Sequence, residues 1–302
     1  MTPAAAPDPD RPLVVPLIAG VLALVGAFLS LVSLFTDYYD TGVPYRQVPA
    51  ARWFFLLFVV AVVASGVLLV AQRRTQPIGA AALGALAVTF LGAHGLSIYY
   101  VSRAGDPSPA GPGFWLDLMG FLLVIVAAVF ATVGVLAVDR SAWQLAFTRN
   151  RNRLALIGGL VGFVIAVGYG LNTTRVNADP VAGTPDTPEG SPFVPSTRSL
   201  WMQIVVVLAL VALPPLVALV SRRVAIGFSI GLLAFVAAEA LSRVLTSYGK
   251  VQGVDSGRDA IEGTWVFLVG GLALATLVAV RLVTVADEPR RKAEQRESAR
   301  AA

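Results

Sequence analysis

Apolar residues along this chain gather in eight long runs, separated by short polar turns and longer polar loops. The runs cover roughly residues 13–35, 54–72, 77–101, 114–138, 154–171, 200–220, 224–247 and 264–285. A helix rises about 1.5 Å per residue, so about 20 mostly apolar residues cross a hydrocarbon core about 30 Å thick. The pattern therefore predicts an all-α integral membrane protein with eight transmembrane helices. The first run is too long for a signal-peptide core and lacks a clear cleavage site, so it reads as a mature helix.

With an even number of spans both termini fall on one side, and the charges say which. Placing the termini in the cytoplasm puts Arg11, the pair Arg73 and Arg74, Arg140, Arg149, Arg151, Arg153, the pair Arg222 and Arg223, and the C-terminal basic residues inside. That is 15 of the 23 basic residues, while 11 of the 18 acidic residues fall outside. Short Arg-rich turns on one face are how membrane topology is set. The longer polar segments, 37–52, 102–113, 172–199 and 248–263, then lie outside. Their Gly, Pro, Asp, Ser and Thr content reads as solvated loop. Aromatic residues mark the outer helix ends (Tyr38, Tyr39, Trp53, Tyr99, Tyr100, Trp115, Trp201, Tyr248, Trp265), as an interfacial belt does.

The chain also repeats itself. "QRRTQPIGAAALGALAVTF" (72–90) resembles "SRRVAIGFSIGLLAFVAAE" (221–239), and "GFWLDLMGFLLVIVAA" (113–128) resembles "GTWVFLVGGLALATLV" (263–278). "VPAARWFFLLFVV" (48–60) resembles "VPSTRSLWMQIVVV" (194–207), and the offset stays between 146 and 150. The expectation is two tandem four-helix repeats. Four spans per unit give both copies the same orientation, a parallel repeat about an axis along the membrane normal. The division reads as a cytoplasmic tail (1–12), the first repeat (13–138), a cytoplasmic linker (139–153), the second repeat (154–285) and a charged cytoplasmic tail (286–302).

Composition narrows the chemistry. The chain is 56% hydrophobic and 14% charged, against roughly 25% charged in soluble domains. It has no cysteine, which excludes disulfides, thiolate nucleophiles and cysteine-ligated metals, and one histidine, which argues against a histidine metal cluster. The expectation is no metal and no cofactor. A net charge of +5 raises nucleic acid as a partner, but no basic stripe with interleaved aromatics exists. No P-loop is present, so nucleotide is not expected either. Basic residues are 21 Arg to two Lys, a bias pointing to a GC-rich, bacterial source and so to the inner (plasma) membrane.

The seventh run is the place where chemistry enters. "FVAAEALSRVL" (235–245) carries Glu239 and Arg243 four residues apart. Counting from Arg223, they lie about 24 Å and 30 Å along the helix, towards the outer side. A central charge opposes insertion by about 2.5–3.5 kcal/mol, so neither is expected to face lipid alone. Glu before Arg at i,i+4 is the favourable order for an ion pair. His94 and Asp117 also fall near the outer ends of their helices. Together His94, Asp117, Glu239 and Arg243 form the candidate site. It reads either as a ligand or ion pathway or as a static salt bridge that fixes how the two halves dock.

Other signals are structural. "GFSIG" (227–231) matches a nucleophile-elbow pattern, but it lies inside a membrane helix far from the histidine. Gly227 with Gly231, and Gly158 with Gly162, read instead as small-residue helix-packing motifs. Pro214-Pro215 predicts a kink in the sixth helix. Asn172-Thr173-Thr174 matches a glycosylation acceptor by chance, and "AWQLAF" (142–147) reads as lying along the inner interface. Arg290, Arg291 and Lys292 read as headgroup anchors.

No catalytic residue is assigned, and scarce reactive side chains lean away from an enzyme. The first reading is a non-catalytic scaffold or accessory subunit of an envelope complex, with the lipid bilayer and a membrane protein as partners. The alternative is a secondary transporter or channel-like protein with an outward-facing polar site between the repeats. A third reading, an outer-face enzyme on a lipid-linked substrate, would use His94, Asp117 or Glu239 as acid or base.

Overall fold

A computed structural model of the chain describes residues 12–37, 49–94, 110–171, 174–176, 187–189, 197–248, 250–251, 254–255, 258–260 and 262–301. Asn172, Thr173, Tyr38, Tyr39, Tyr99, Tyr100 and most of the N-terminal tail and outer loops lie outside these residues. Eight helices dominate: α1 (Val14–Ser33), α2 (Pro49–Ala71), α3 (Gln76–Thr89), α4 (Pro112–Val138), α5 (Arg149–Gly170), α6 (Thr197–Leu219), α7 (Arg222–Tyr248) and α8 (Glu262–Ala301). Each supplies a segment long and apolar enough to cross a membrane, α3 together with the turn that follows it to His94.

Four helices depart from the hydropathy boundaries, and α2 is one of them, beginning five residues early at Pro49. α3 ends at Thr89, and after a turn at Phe90 only one more helical turn, 91–94, follows before the described residues stop. The Thr89 hydroxyl donates to the Ala85 carbonyl at 2.7 Å, a bond that competes with the backbone ladder and bends a helix. α5 begins five residues before its apolar run. Thr148 caps it by accepting from the Arg151 N–H, so the polar stretch 149–153 becomes its first turn and a half. α8 runs 40 residues, so the polar C-terminal stretch continues as helix to Ala301. The longer loops also carry structure that their composition did not announce. Thr174–Val176 pairs antiparallel with Thr187–Glu189 and with Arg258–Ala260, and Lys250–Val251 pairs with Val254–Asp255.

Helices α1 to α4 close a ring of neighbours, α1 against α2, α2 against α3, α3 against α4 and α4 against α1. Helices α5 to α8 close a second ring with the same order of neighbours. The rings meet chiefly through α3 against α7, with α2 also on α7 and α3 on α6. Burial follows: 72% of the α3 span and 56% of the α7 span is buried, against 33% for α8. Large apolar side chains such as Phe28, Val60, Leu122, Leu160, Phe163 and Leu272 point outward, as they would towards lipid. Trp53, Trp115, Trp201 and Trp265 stand 41–54% exposed near the starts of α2, α4, α6 and α8, marking one membrane face. The turns bearing Arg73, Arg74, Arg140, Arg222 and Arg223 mark the other, called here the basic face.

Backbones approach closely at the glycines. A Cβ on Gly231 would sit 2.8 Å from the Ala82 carbonyl oxygen and crowd Ala85, and one on Gly227 would collide with the Ile78 carbonyl and Ala81. These two glycines set α7 against α3. On α5, Gly158 faces the Pro214 carbonyl and Gly162 faces the carbonyls of Leu210 and Val211. Those last two are the carbonyls that Pro214 and Pro215, lacking N–H groups, leave without i→i−4 donors. α6 stays helical through both prolines, and Gly162 brings the α5 backbone onto the freed oxygens. The segment after α4 docks beneath α7: Trp143 packs edge-on against Phe228, and the Ala146 N–H donates to the Leu219 carbonyl. Leu145 and Phe147 of that segment stay exposed.

Two alanine substitutions on α5 test this packing. A Cβ at Gly162 would stand 2.5 Å from the Leu210 oxygen, so Gly162→Ala should destabilise by about 1–3 kcal/mol through overpacking. A Cβ at Gly159 would meet nothing within 4 Å, so Gly159→Ala should stabilise by about 0.5–1 kcal/mol. Thermal unfolding in detergent reads both.

Candidate functional site

The four candidate residues sit as two pairs, one in each half. In the second half, Arg243 on α7 is only 5% exposed and donates from Nε to Glu239 Oε1 at 2.8 Å. Glu239 is one helical turn earlier and partly exposed, with its side chain 20% accessible. The rest of the guanidinium is spent on backbone. Nη1 donates to the Gly168 carbonyl at 2.8 Å and to the Gly263 carbonyl at 3.3 Å, and Nη2 donates to the Tyr169 carbonyl at 3.3 Å. Gly168 and Tyr169 are in the last turn of α5, where carbonyls lack helical donors and the helix dipole is negative. Arg243 thus caps α5 while gripping the start of α8. Its guanidinium carbon also lies 4.4 Å from the centre of the Phe267 ring, a cation–π contact.

In the first half, His94 Nε2 lies 3.3 Å from Asp117 Oδ2, and both side chains are buried. His94 Nδ1 is 3.0 Å from the Phe90 carbonyl, which only accepts, so Nδ1 carries a hydrogen. The imidazole stacks flat on Phe121, centroids 3.7 Å apart and planes 6° from parallel, with Phe55 and Phe58 around it. Asp117 stands four residues after Gly113, and Phe267 stands four after Gly263. His94, in the turn after α3, meets Asp117 on α4, and Arg243 on α7 meets Phe267 on α8.

Aromatic rings run from one pair to the other. Phe121 packs on Phe58, Phe58 on Phe90, Phe90 on Phe235, and Phe235 on Tyr169 beside Arg243. Tyr169 adds a polar bridge across the seam between the rings. Its hydroxyl donates to Gln203 Oε1 at 2.6 Å, and Gln203 Nε2 donates to the Gly92 carbonyl at 3.0 Å. This ties α5 to α6, and α6 to the turn that follows α3.

Tyr169, Gln203 and Phe267 belong to the polar core although the sequence reading did not single them out. Gln203 could have been found, since it is an amide inside an apolar run, the same signal that marked Glu239. Arg281 is a further buried charge. It is 3% exposed and donates from Nε to the Val217 carbonyl and from Nη2 to the Val220 carbonyl, both at 3.4 Å, at the end of α6. Gln76 does similar work in the first half, exchanging hydrogen bonds with the Leu13 backbone and donating to the Leu69 carbonyl. Among the described residues, no three His, Asp or Glu side chains gather as a metal site requires. Comparison of the chain with known protein families, with curated proteins and with solved structures finds no match.

The geometry ranks the charges. Arg243→Met strands Glu239 and three backbone carbonyls, and losing one partner of a buried pair costs about 3–5 kcal/mol. Glu239→Gln leaves Arg243 with its carbonyl partners and should cost clearly less. Gln203→Ala should cost about 1–2 kcal/mol, the range for polar contacts between membrane helices. The order of melting temperatures in one detergent checks all three.

Proposed function

We propose that this multi-pass membrane protein is a non-catalytic scaffold or accessory subunit of a bacterial envelope complex, seated in the plasma membrane with both termini in the cytoplasm. The observation that carries the reading is the use made of Arg243. Its donors are committed to three backbone carbonyls and Glu239, its face is covered by Phe267, and it is buried. A side chain so engaged is a brace rather than a carrier. The His94–Asp117 pair, sealed under Phe121, Phe55 and Phe58, fits the same role.

We read the two rings of helices as tandem copies of one unit in parallel orientation. The constant offset in sequence supports this, as do the shared order of neighbours and the matching places of His94 with Arg243 and Asp117 with Phe267. On this reading the pairs are the docking braces of each copy, and Gly227, Gly231, Gly158 and Gly162 are packing positions. The alternative of a transporter or channel-like protein draws on the Tyr169–Gln203–Gly92 bridge, which places polar groups where the rings meet.

Reconstituted vesicles separate the two. The scaffold reading expects Glu239→Gln to lower the melting temperature and to weaken assembly with a stoichiometric membrane partner. It also expects no saturable proton or cation flux from the wild-type chain. Flux in the wild type that Glu239→Gln abolishes at unchanged melting temperature would overturn it in favour of transport.

A further inference from the structure

The basic face holds a cleft of about 350 Å³ that the roles above do not use. Arg73 and Arg74 from the α2–α3 turn and Arg223 from the start of α7 line it, opposed by Asp139 at the end of α4. Arg74 and Arg223 are exposed, and Arg73 is partly so. Asp139 also accepts a hydrogen bond from the Ser141 hydroxyl. Three guanidinium groups against one carboxylate leave the cleft positive. Buried Gln76, held by the backbone of Leu13 and Leu69, forms part of its wall. The chemistry that fits is an anion with several acceptor oxygens, a phosphate above all, because guanidinium presents planar donors to it.

A second cleft, of about 400 Å³, is apolar and lies between α3 and α4, lined by Gly84, Val88 and Leu91 on one helix and Ile125, Ala128 and Thr132 on the other. The two clefts share one seam. On α4, Ile125, Ala128, Thr132 and Val135 follow each other at spacings of three and four, a single helical stripe, and Asp139, the residue just past the helix, stands four further on. The first three line the apolar groove and the last two line the basic cleft. On α3, Pro77 of the basic cleft stands seven residues before Gly84 of the groove, again one stripe. From Asp139 to Ile125 the seam rises about 21 Å, enough for a headgroup and an acyl chain spanning half of a core about 30 Å thick. Gly84 keeps the groove open, since a Cβ there would meet nothing within 4 Å.

We propose that this seam is a specific site for an anionic phospholipid. Its phosphate sits among Arg73, Arg74 and Arg223, and one acyl chain lies in the α3–α4 groove. A basic cleft alone would take any phosphate, and an apolar groove alone any chain or helix. Their continuity along one stripe selects a molecule with both ends.

The test uses the full chain in phosphatidylcholine nanodiscs doped with phosphatidylglycerol, released into mild detergent and weighed by native mass spectrometry. The expected result is one phosphatidylglycerol retained per chain in preference to phosphatidylcholine. Arg73→Gln with Arg74→Gln and Arg223→Gln should lower that retention about tenfold or more, given that each basic group contributes to anionic-lipid attraction. Gly84→Phe fills the groove without touching the charges and should also lower it. Soluble glycerol phosphate should not displace the lipid. Arg223→Gln alone, at an exposed position, gives a partial loss if the triple variant fails to fold. Equal retention of the two lipids, or unchanged retention in the arginine variants, overturns the proposal. So does displacement by glycerol phosphate with Gly84→Phe unaffected, which would mean a free-anion site. Loss of a bound membrane protein from Gly84→Phe with lipid retention unchanged would make the groove a helix-docking face and overturn it as well.

Discussion

A charge buried away from water must find its hydrogen-bond partners within the protein. Arg243 meets that demand by joining three helices at one point. Its own helix supplies Glu239, the end of α5 supplies two carbonyls, and the start of α8 supplies a third. The geometry of the second ring follows from this. α5 has to end where its last carbonyls reach the guanidinium, and α8 has to begin beside it. Arg281 repeats the device at the opposite face, where α6 ends. Buried cations in this fold therefore serve helix C-termini, where the dipole and the unpaired carbonyls both attract them.

The first ring solves the same problem with less charge. His94 and Asp117 pair where the turn after α3 meets α4, and Phe121 covers the imidazole as Phe267 covers the guanidinium of Arg243. Gln76, an uncharged amide, joins the start of α3 to the start of α1 and the end of α2. Arg243, always charged, takes a fixed acid and a set of carbonyls together.

The spans were legible in the sequence because bilayer thickness fixes helix length independently of tertiary structure. Their ends were not, because polar residues extend helices past the apolar run wherever a cap permits, as at Thr148. The i,i+4 pairing of Glu239 with Arg243 could be read from spacing alone. The carbonyls of Gly168, Tyr169 and Gly263 could not, because backbone acceptors leave no trace in residue identity. His94 and Asp117 stood out as polar residues in apolar runs, but their meeting depends on how α3 and α4 pack. Gln203 carried the same signal and was passed over beside stronger charges. The pairing of Thr174–Val176 with Arg258–Ala260 links two loops whose composition marks only solvent exposure.

The burial of α3 has a consequence in time. This span has the lowest mean hydropathy of the eight, 1.5, and the largest buried share, 72%. Much of its cover comes from α7, which begins at Arg222, more than 130 residues after Thr89. At a synthesis rate of about 5–20 residues per second, α3 waits roughly 7–27 s for that partner. During the wait its small-residue face, with Ala81, Ala82 and Ala85, rests against lipid or the insertion machinery. The weakest span is thus one that must persist through most of synthesis before the fold completes it.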